Sequence, residues 1–188
     1  MTIAPHHTTG PEDVLVSDAA VLHGLTDELA ALRREVRRLT DRAELSALLD
    51  RYTVLLDTQD DHGFDADWPA TVFTEDVRLH FPIGTHEGLA GVAEFHYRAK
   101  IRFARTIHLS GNHIVQLDGD RARVRCHMVT THVHRPAPER PDRIGALFQL
   151  GGFGVGEAVR TAEGWRLSEW GFTATWADGP GPDGTPVM

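Results

Sequence analysis

An α+β fold, helices first and antiparallel hairpins after them, is what this sequence predicts, and three observations predict it. Apolar residues recur at helical spacing between residues 17 and 61. From Thr106 onward they alternate with polar ones, as on half-buried strands. The turns Asp118-Gly119-Asp120 and around Gly164 then join those alternating runs as hairpins.

The first 17 residues are rich in Pro, Thr, His and Gly without periodicity, so a flexible N-terminus is expected over 1–17, with His6 and His7 as bystanders. Over 18–40, Leu22, Leu25, Leu29, Leu32, Val36 and Leu39 are spaced 3, 4, 3, 4, 3, the signature of a short heptad seam. Such a helix either lies on its own sheet or makes an oligomer contact. Asp41 with Glu44 resembles a capping box and predicts a fresh helix start. Leu45, Leu48, Leu49, Tyr52, Leu55 and Leu56 form the apolar stripe of that second helix. Its end carries Asp57, Asp60 and Asp61, where negative charge opposes the helix dipole. A carboxylate in an unfavourable place raises a functional question.

Beyond Asp61, HGFDADW reads as a loop and PATVF, opened by Pro69, as a short helix. Val77 to Phe81 alternate as a strand, and Leu89, Val92, Phe95 and Ala99 recur as a helix to about Phe103. The expected strands are Thr106–Leu117, Ala122–His134, Ile144–Arg160 and Trp165–Trp176. On the second of these, Ala122, Val124, Cys126, Met128, Thr130, His132 and His134 share one face, and Arg121, Arg123, Arg125 and His127 the other. The first face must turn to the helices, which puts His132 in or at the rim of the interior.

Composition narrows the function. A chain of 188 residues with 41% hydrophobic content can fill one core. Nineteen basic against 27 acidic residues give a net charge of −8, and no Lys/Arg run is interleaved with aromatics. Nucleic acid is not an expected partner. Cys126 is the single cysteine, the first ten residues have no signal-peptide pattern, and no apolar run reaches membrane-spanning length. The expectation is a soluble cytoplasmic protein with no membrane partner. Lys100 is the only lysine, so Schiff-base chemistry would rest on it alone.

Taken together, the helix carrying Tyr52 and Asp57, FTEDVRLHF, RTIHLSGNHIVQLDGDRARV, LFQLGGF, GWRL and TATWADG resemble, in order, the SnoaL-like branch of the nuclear-transport-factor-2-like superfamily. The resemblance covers residues 41–178, leaving 179–188 as a flexible tail. It implies a cone: a curved antiparallel sheet wrapped against about three helices around a pocket, here with an extra N-terminal helix. It also implies a homodimer or homotrimer.

In dehydratases of that family an aspartate ending the first core helix pairs with a histidine opening the strand after the third helix. By motif these positions resemble Asp57 and His108. An imidazole oriented by a carboxylate is poised to take a proton next to a carbonyl. His132 could then act as a second acid or base, and Tyr52 could donate to a substrate oxygen. Periodicity alone leaves Asp57 ~140° round the helix from Tyr52, at the edge of the stripe, at about 100° per residue. Phe81, Met128, Phe153 and Trp170 are the expected substrate-facing side chains. Scytalone dehydratase has tyrosines where this chain has Leu56 and Phe81.

No cofactor or metal is expected. His132-Val133-His134 offers two histidines without a nearby carboxylate, a poor ligand set, and GGFGVG does not fit a dinucleotide fingerprint. The expected function is a cofactor-independent dehydratase, cyclase or isomerase acting on an apolar, polyketide-like small molecule. Two alternatives stand beside it: a non-catalytic ligand-binding or assembly subunit, and an epoxide-opening cyclase or hydrolase using Asp57.

Overall fold

The computed structural model describes residues 11–58 and 65–185, and side chains of the first helix from residue 20. Asp60, Asp61, His6 and His7 lie outside the described residues. The chain divides into two units, residues 1–41 and 42–188.

Among the described residues, the first unit is helix, the N-terminal part of α1 (Pro11–Asp57). Its seam residues Leu22, Leu25, Leu29, Leu32, Val36 and Leu39 are all exposed, from 46% at Leu29 to 64% at Leu22. The break expected at Asp41 is absent, because α1 is one 47-residue helix. Asp41-Arg42-Ala43-Glu44 contains no Pro or Gly, and a capping-box pattern cannot start a helix where nothing has stopped the preceding one. The helix also reaches back to Pro11, where a proline suits the first turn, so residues 11–17 are helical and not the loose segment expected.

In the second unit, a 3-10 turn (Trp68–Thr71) leads into β1 (Phe73–Phe81), β2 (Gly84–Glu87), α2 (Val92–Lys100), β3 (Phe103–Asp118), β4 (Arg121–His134), β5 (Leu147–Thr161) and β6 (Gly164–Asp178). The sheet order is β2-β1-β6-β5-β4-β3. Every neighbouring pair is antiparallel except β1 with β6, which run parallel with Leu79 beside Trp170. The sheet is therefore mixed, with β2 and β3 as its open edges. Register shifts in the β3–β4 and β5–β6 pairings mark bulges that bend and twist it. Local pattern misplaced one short stretch: the PATVF segment is helical only as far as Thr71, and Phe73–Asp76 already belong to β1.

The core follows the stripe of α1. Leu45, Leu48, Leu49, Tyr52 and Leu56 are buried against Ala122, Val124, Cys126 and Met128 of β4 and Leu167, Trp170 and Phe172 of β6. Each fully buried leucine contributes roughly 1.5–3 kcal/mol. Tyr52 is the centre of an aromatic cluster, 5.5 Å from Phe73 and 6.2 Å from both Trp68 and Trp170 between ring centroids. Gly154 on β5 makes this packing possible, since a Cβ there would collide with the Trp170 ring. That packing sets the end of α1 over the start of β3.

Candidate active site

Asp57 occupies the last residue of α1, and Thr106 and His108, two apart, share a face of β3. The carboxylate draws them together. Its Oδ1 accepts the Thr106 hydroxyl at 2.8 Å and the His108 ring Nδ1 at 2.6 Å, and its Oδ2 accepts the His108 backbone N–H at 2.7 Å. Three donors offset the unfavourable helix-end position that the sequence made conspicuous.

An ionised carboxylate has no proton to give, so His108 must carry its hydrogen on Nδ1, leaving the Nε2 lone pair as the basic site. Burial pushes the Asp57 carboxyl up, but the His108 ring bond and charge, the His108 N–H and the Thr106 hydroxyl outweigh it and hold the group below its ordinary value. Burial pulls the His108 imidazole down; Asp57 pushes it back and Lys100 lowers it again, with the net position below 6.5. The resting pair at neutral pH is carboxylate and neutral imidazole.

His108 opens on a cavity of about 400 Å³ between α1, α2 and the sheet. Its walls are mainly apolar, with Leu56, Phe81, Met128, Phe148 and Phe172 among them. A site of that size lies within the range of small-molecule pockets. Tyr52, His96, Lys100 and His132 also line it, and each has a buried polar atom without a hydrogen-bond partner: Tyr52 Oη, His96 Nε2, Lys100 Nζ and His132 Nδ1.

Of the residues singled out by sequence, Asp57 and His108 come together, and Tyr52, His132, Phe81 and Met128 line the cavity beside them. His132 sits 5.7 Å from His108 between ring centroids and stacks near Phe148. Burial, with His108 and Lys100 nearby, pulls its imidazole down to about 4. His132 therefore rests as a neutral imidazole near pH 7. Burial also raises the Tyr52 phenol well above its ordinary value, so it stays protonated and able to donate.

Two expected wall residues lie elsewhere. Phe153 pairs directly with His127, which places it on the sheet face opposite Met128, and the Arg125 guanidinium sits 4.7 Å from its ring centroid. Trp170 is only 1% exposed and packs against Tyr52 in the core behind the cavity. A register shift between Gly151 and Gly152 sets Trp176 beside Gly151, where it is half-exposed.

Sequence reasoning missed Thr106, His96 and Lys100 as part of the site. Thr106 could have been found from its i, i+2 relation to His108. Lys100, the single lysine, ends α2 and places Nζ 3.9 Å from Asp57 Oδ1, beyond hydrogen-bonding distance. Only the register of α2 reveals that it points inward. Burial lowers its ammonium to about 8 despite the raising effect of Asp57.

Among the described residues, no group of three or more His, Cys, Asp or Glu side chains is placed to hold a metal, and no helix is long and apolar enough to cross a membrane.

A family model described as a SnoaL-like domain matches residues 37–171. The structure is similar to the Kfla4162 protein of Kribbella flavida, 30% identical, over 75% of this chain and 95% of that one, with a TM-score of 0.63. It is also similar to a hexachlorocyclohexane dehydrochlorinase, LinA type 2, at 16% identity over 82% of this chain and 93% of that one, with a TM-score of 0.64. A nuclear transport factor 2-like superfamily protein of Salmonella enterica is 17% identical over 73% and 92% of the two chains, with a TM-score of 0.61. The last two likenesses show the fold alone. No curated protein matches the sequence. The chain belongs to the SnoaL-like family, on the nuclear-transport-factor-2-like fold.

Proposed function

We propose that this protein is a cofactor-independent lyase or isomerase, a dehydratase or cyclase in the broad sense, acting on an apolar, polyketide-like small molecule. The observation that carries the proposal is the 2.6 Å bond from His108 Nδ1 to Asp57 at the wall of a largely apolar cavity. His108 Nε2 takes a proton from the carbon next to a carbonyl; the C–H electron pair becomes the enolate. Asp57 holds the tautomer and stabilises the imidazolium that forms. The enolate then expels a β-hydroxyl as water using the proton held by His108, takes that proton back at another carbon, or adds to a second carbonyl, whose new alkoxide takes it. The Tyr52 hydroxyl, protonated and without a protein partner, suits the carbonyl oxygen.

The geometry favours this over epoxide opening by Asp57. An epoxide needs a carboxylic acid to protonate its oxygen, and three donors with a lowered pKa keep Asp57 ionised.

The test is deuterium incorporation into an apolar enolisable ketone, 2-tetralone, in D2O. The wild-type protein should catalyse exchange, and His108→Ala with its fold intact should slow it by ~100-fold or more. Equal rates in both would remove His108 as the base.

A further inference from the structure

Lys100 is the group that the acid/base pair leaves unexplained. Its side chain is 9% exposed, Nζ has no hydrogen-bond partner, and the nearest carboxylate oxygen, Asp57 Oδ1 at 3.9 Å, already accepts from Thr106 and His108. The groups facing it are Asp57 from α1, His96 on its own helix, His108 from β3 and His132 from β4. The three imidazoles all lie below their ordinary value, so none adds a positive charge near neutral pH. A buried ammonium without an acceptor costs several kcal/mol, and a fold retains one where something else supplies the acceptor. Nζ has three donors, and Lys100 lines the cavity.

We propose that the cavity selects ligands with an apolar body and one acidic oxygen, a carboxylate, a phenolate or the enolate of a 1,3-dicarbonyl, and that Lys100 is its counter-ion. The inference rests on the cavity being the active site. It adds the substrate class: the acidic oxygen bound by Lys100 is where charge collects when His108 removes a proton, so the same ammonium that binds the ligand stabilises the enolate.

Because Lys100 is the only lysine, 13Cε-lysine labelling gives one signal for the whole protein. The probes are 2-naphthoate and its neutral counterpart 2-naphthamide. In the wild type, naphthoate should bind at least tenfold more tightly and move the lysine titration to higher pH, whereas naphthamide should leave it in place. Lys100→Met and Lys100→Gln should lose the preference and still bind naphthamide. Equal affinity for the two probes, or a lysine signal that naphthoate does not move, overturns the proposal even if neither variant folds. His108→Ala should keep the preference for naphthoate. Unchanged ketone exchange in His108→Ala with the naphthoate preference intact therefore counts against the acid/base reading alone, and slowed exchange in His108→Ala together with equal wild-type affinity for the two probes counts against Lys100 alone.

The heptad seam of the first unit carries a separate inference. With Leu22, Leu29 and Val36 at a and Leu25, Leu32 and Leu39 at d, Glu28 falls at g and Arg33 at the following e. In a parallel, in-register pair of helices Glu28 of each copy meets Arg33 of the other. In the antiparallel alignment that overlays the whole seam, Glu28 instead meets Glu35. The six exposed apolar residues and this charge pattern point to a second copy of this chain as the partner, in a parallel coiled coil.

Leu22→Cys in the full chain tests it, since two a positions face each other only in the parallel arrangement. Cys126 is buried, with its thiol pushed up to about 11, and will not compete. Mild oxidation should give a covalent dimer. In sedimentation, Glu28→Arg and Arg33→Glu should each weaken the dimer about fivefold or more, and the double variant should restore it. A monomer, a dimer indifferent to these charges, or cross-linking only between Leu22→Cys and Leu39→Cys chains overturns the inference.

Discussion

Asp57 holds His108 at two points, the backbone N–H through Oδ2 and the ring Nδ1 through Oδ1. The backbone bond fixes where the strand passes the helix end, and the ring bond fixes which nitrogen is basic. One carboxylate thus docks β3 and sets the histidine tautomer.

Asp57→Asn should separate these roles. The amide oxygen can replace one acceptor, but its NH2 cannot accept, so either the strand contact or the ring contact is lost. We expect 15N NMR of the His108 ring to show protonated Nδ1 and bare Nε2 in the wild type, and a loss of that tautomer preference in the variant. Ketone exchange should fall ~100-fold or more. An unchanged tautomer would mean that Asp57 does not orient the ring.

Lys100→Met should stabilise the protein while removing anion preference. Replacing a buried, poorly paired charge with an apolar side chain is worth ~1–4 kcal/mol in comparable sites. The lysine titrates at about 8 in the folded chain against an ordinary 10.5, so between these values the unfolded state holds more protons and wild-type stability rises with pH. The advantage of Lys100→Met is therefore full below about pH 8 and fades toward 10.5. Denaturant midpoints at pH 7 and pH 10 check both sign and window.

Acid should destabilise the fold through its buried histidines, His96 and His132 foremost. Burial lowers His96 to about 3 and His132 to about 4, whereas both have an ordinary value of 6.5 when unfolded. As pH falls below 6.5 the unfolded state binds protons that the folded state refuses, so stability drops until the folded values are reached. Two protons correspond to a limiting slope of about 2.7 kcal/mol per pH unit. His96→Phe, among the rings of Tyr52, Trp68, Phe81 and Phe95, should lower the slope by about 1.4 kcal/mol per pH unit, the share of one proton. A slope unaffected by the substitution would show that His96 is not held neutral.

Gly154→Ala should cost ~1–3 kcal/mol, because the added methyl collides with Trp170 and crowds Met128 Sδ at 3.2 Å. Gly111→Ala, with nothing within 4 Å, is the matched control and should change stability little. Thermal unfolding of the two variants gives the comparison.

The parts of the molecule governed by local periodicity could be read from sequence. The Leu45–Leu56 stripe, the inward face of β4 and the hairpin turn at Gly119 depend on spacing and on a positive φ, here +58°. What escaped depends on distant partners. Nothing near Leu79 announces that its neighbour is Trp170 on a parallel strand, and β2 forms only because β1 offers it an edge. Asp57 looked peripheral to its helix stripe; its place at a helix end made it conspicuous, and the resemblance paired it with His108. Lys100 was visible as a unique residue but not as a wall of the cavity, because one turn of α2 decides between solvent and interior. Phe153 fell on the wrong face for want of its register with His127.

The most direct measurement is the pH dependence of kcat/KM for ketone exchange, which reports the ionisations of the free protein. The rate should rise through a single ionisation below pH 6.5, as His108 becomes neutral, and fall near pH 8, as Lys100 loses its proton. A rate that instead declines as a carboxyl group ionises, or one indifferent to His108→Ala, would contradict the acid/base mechanism.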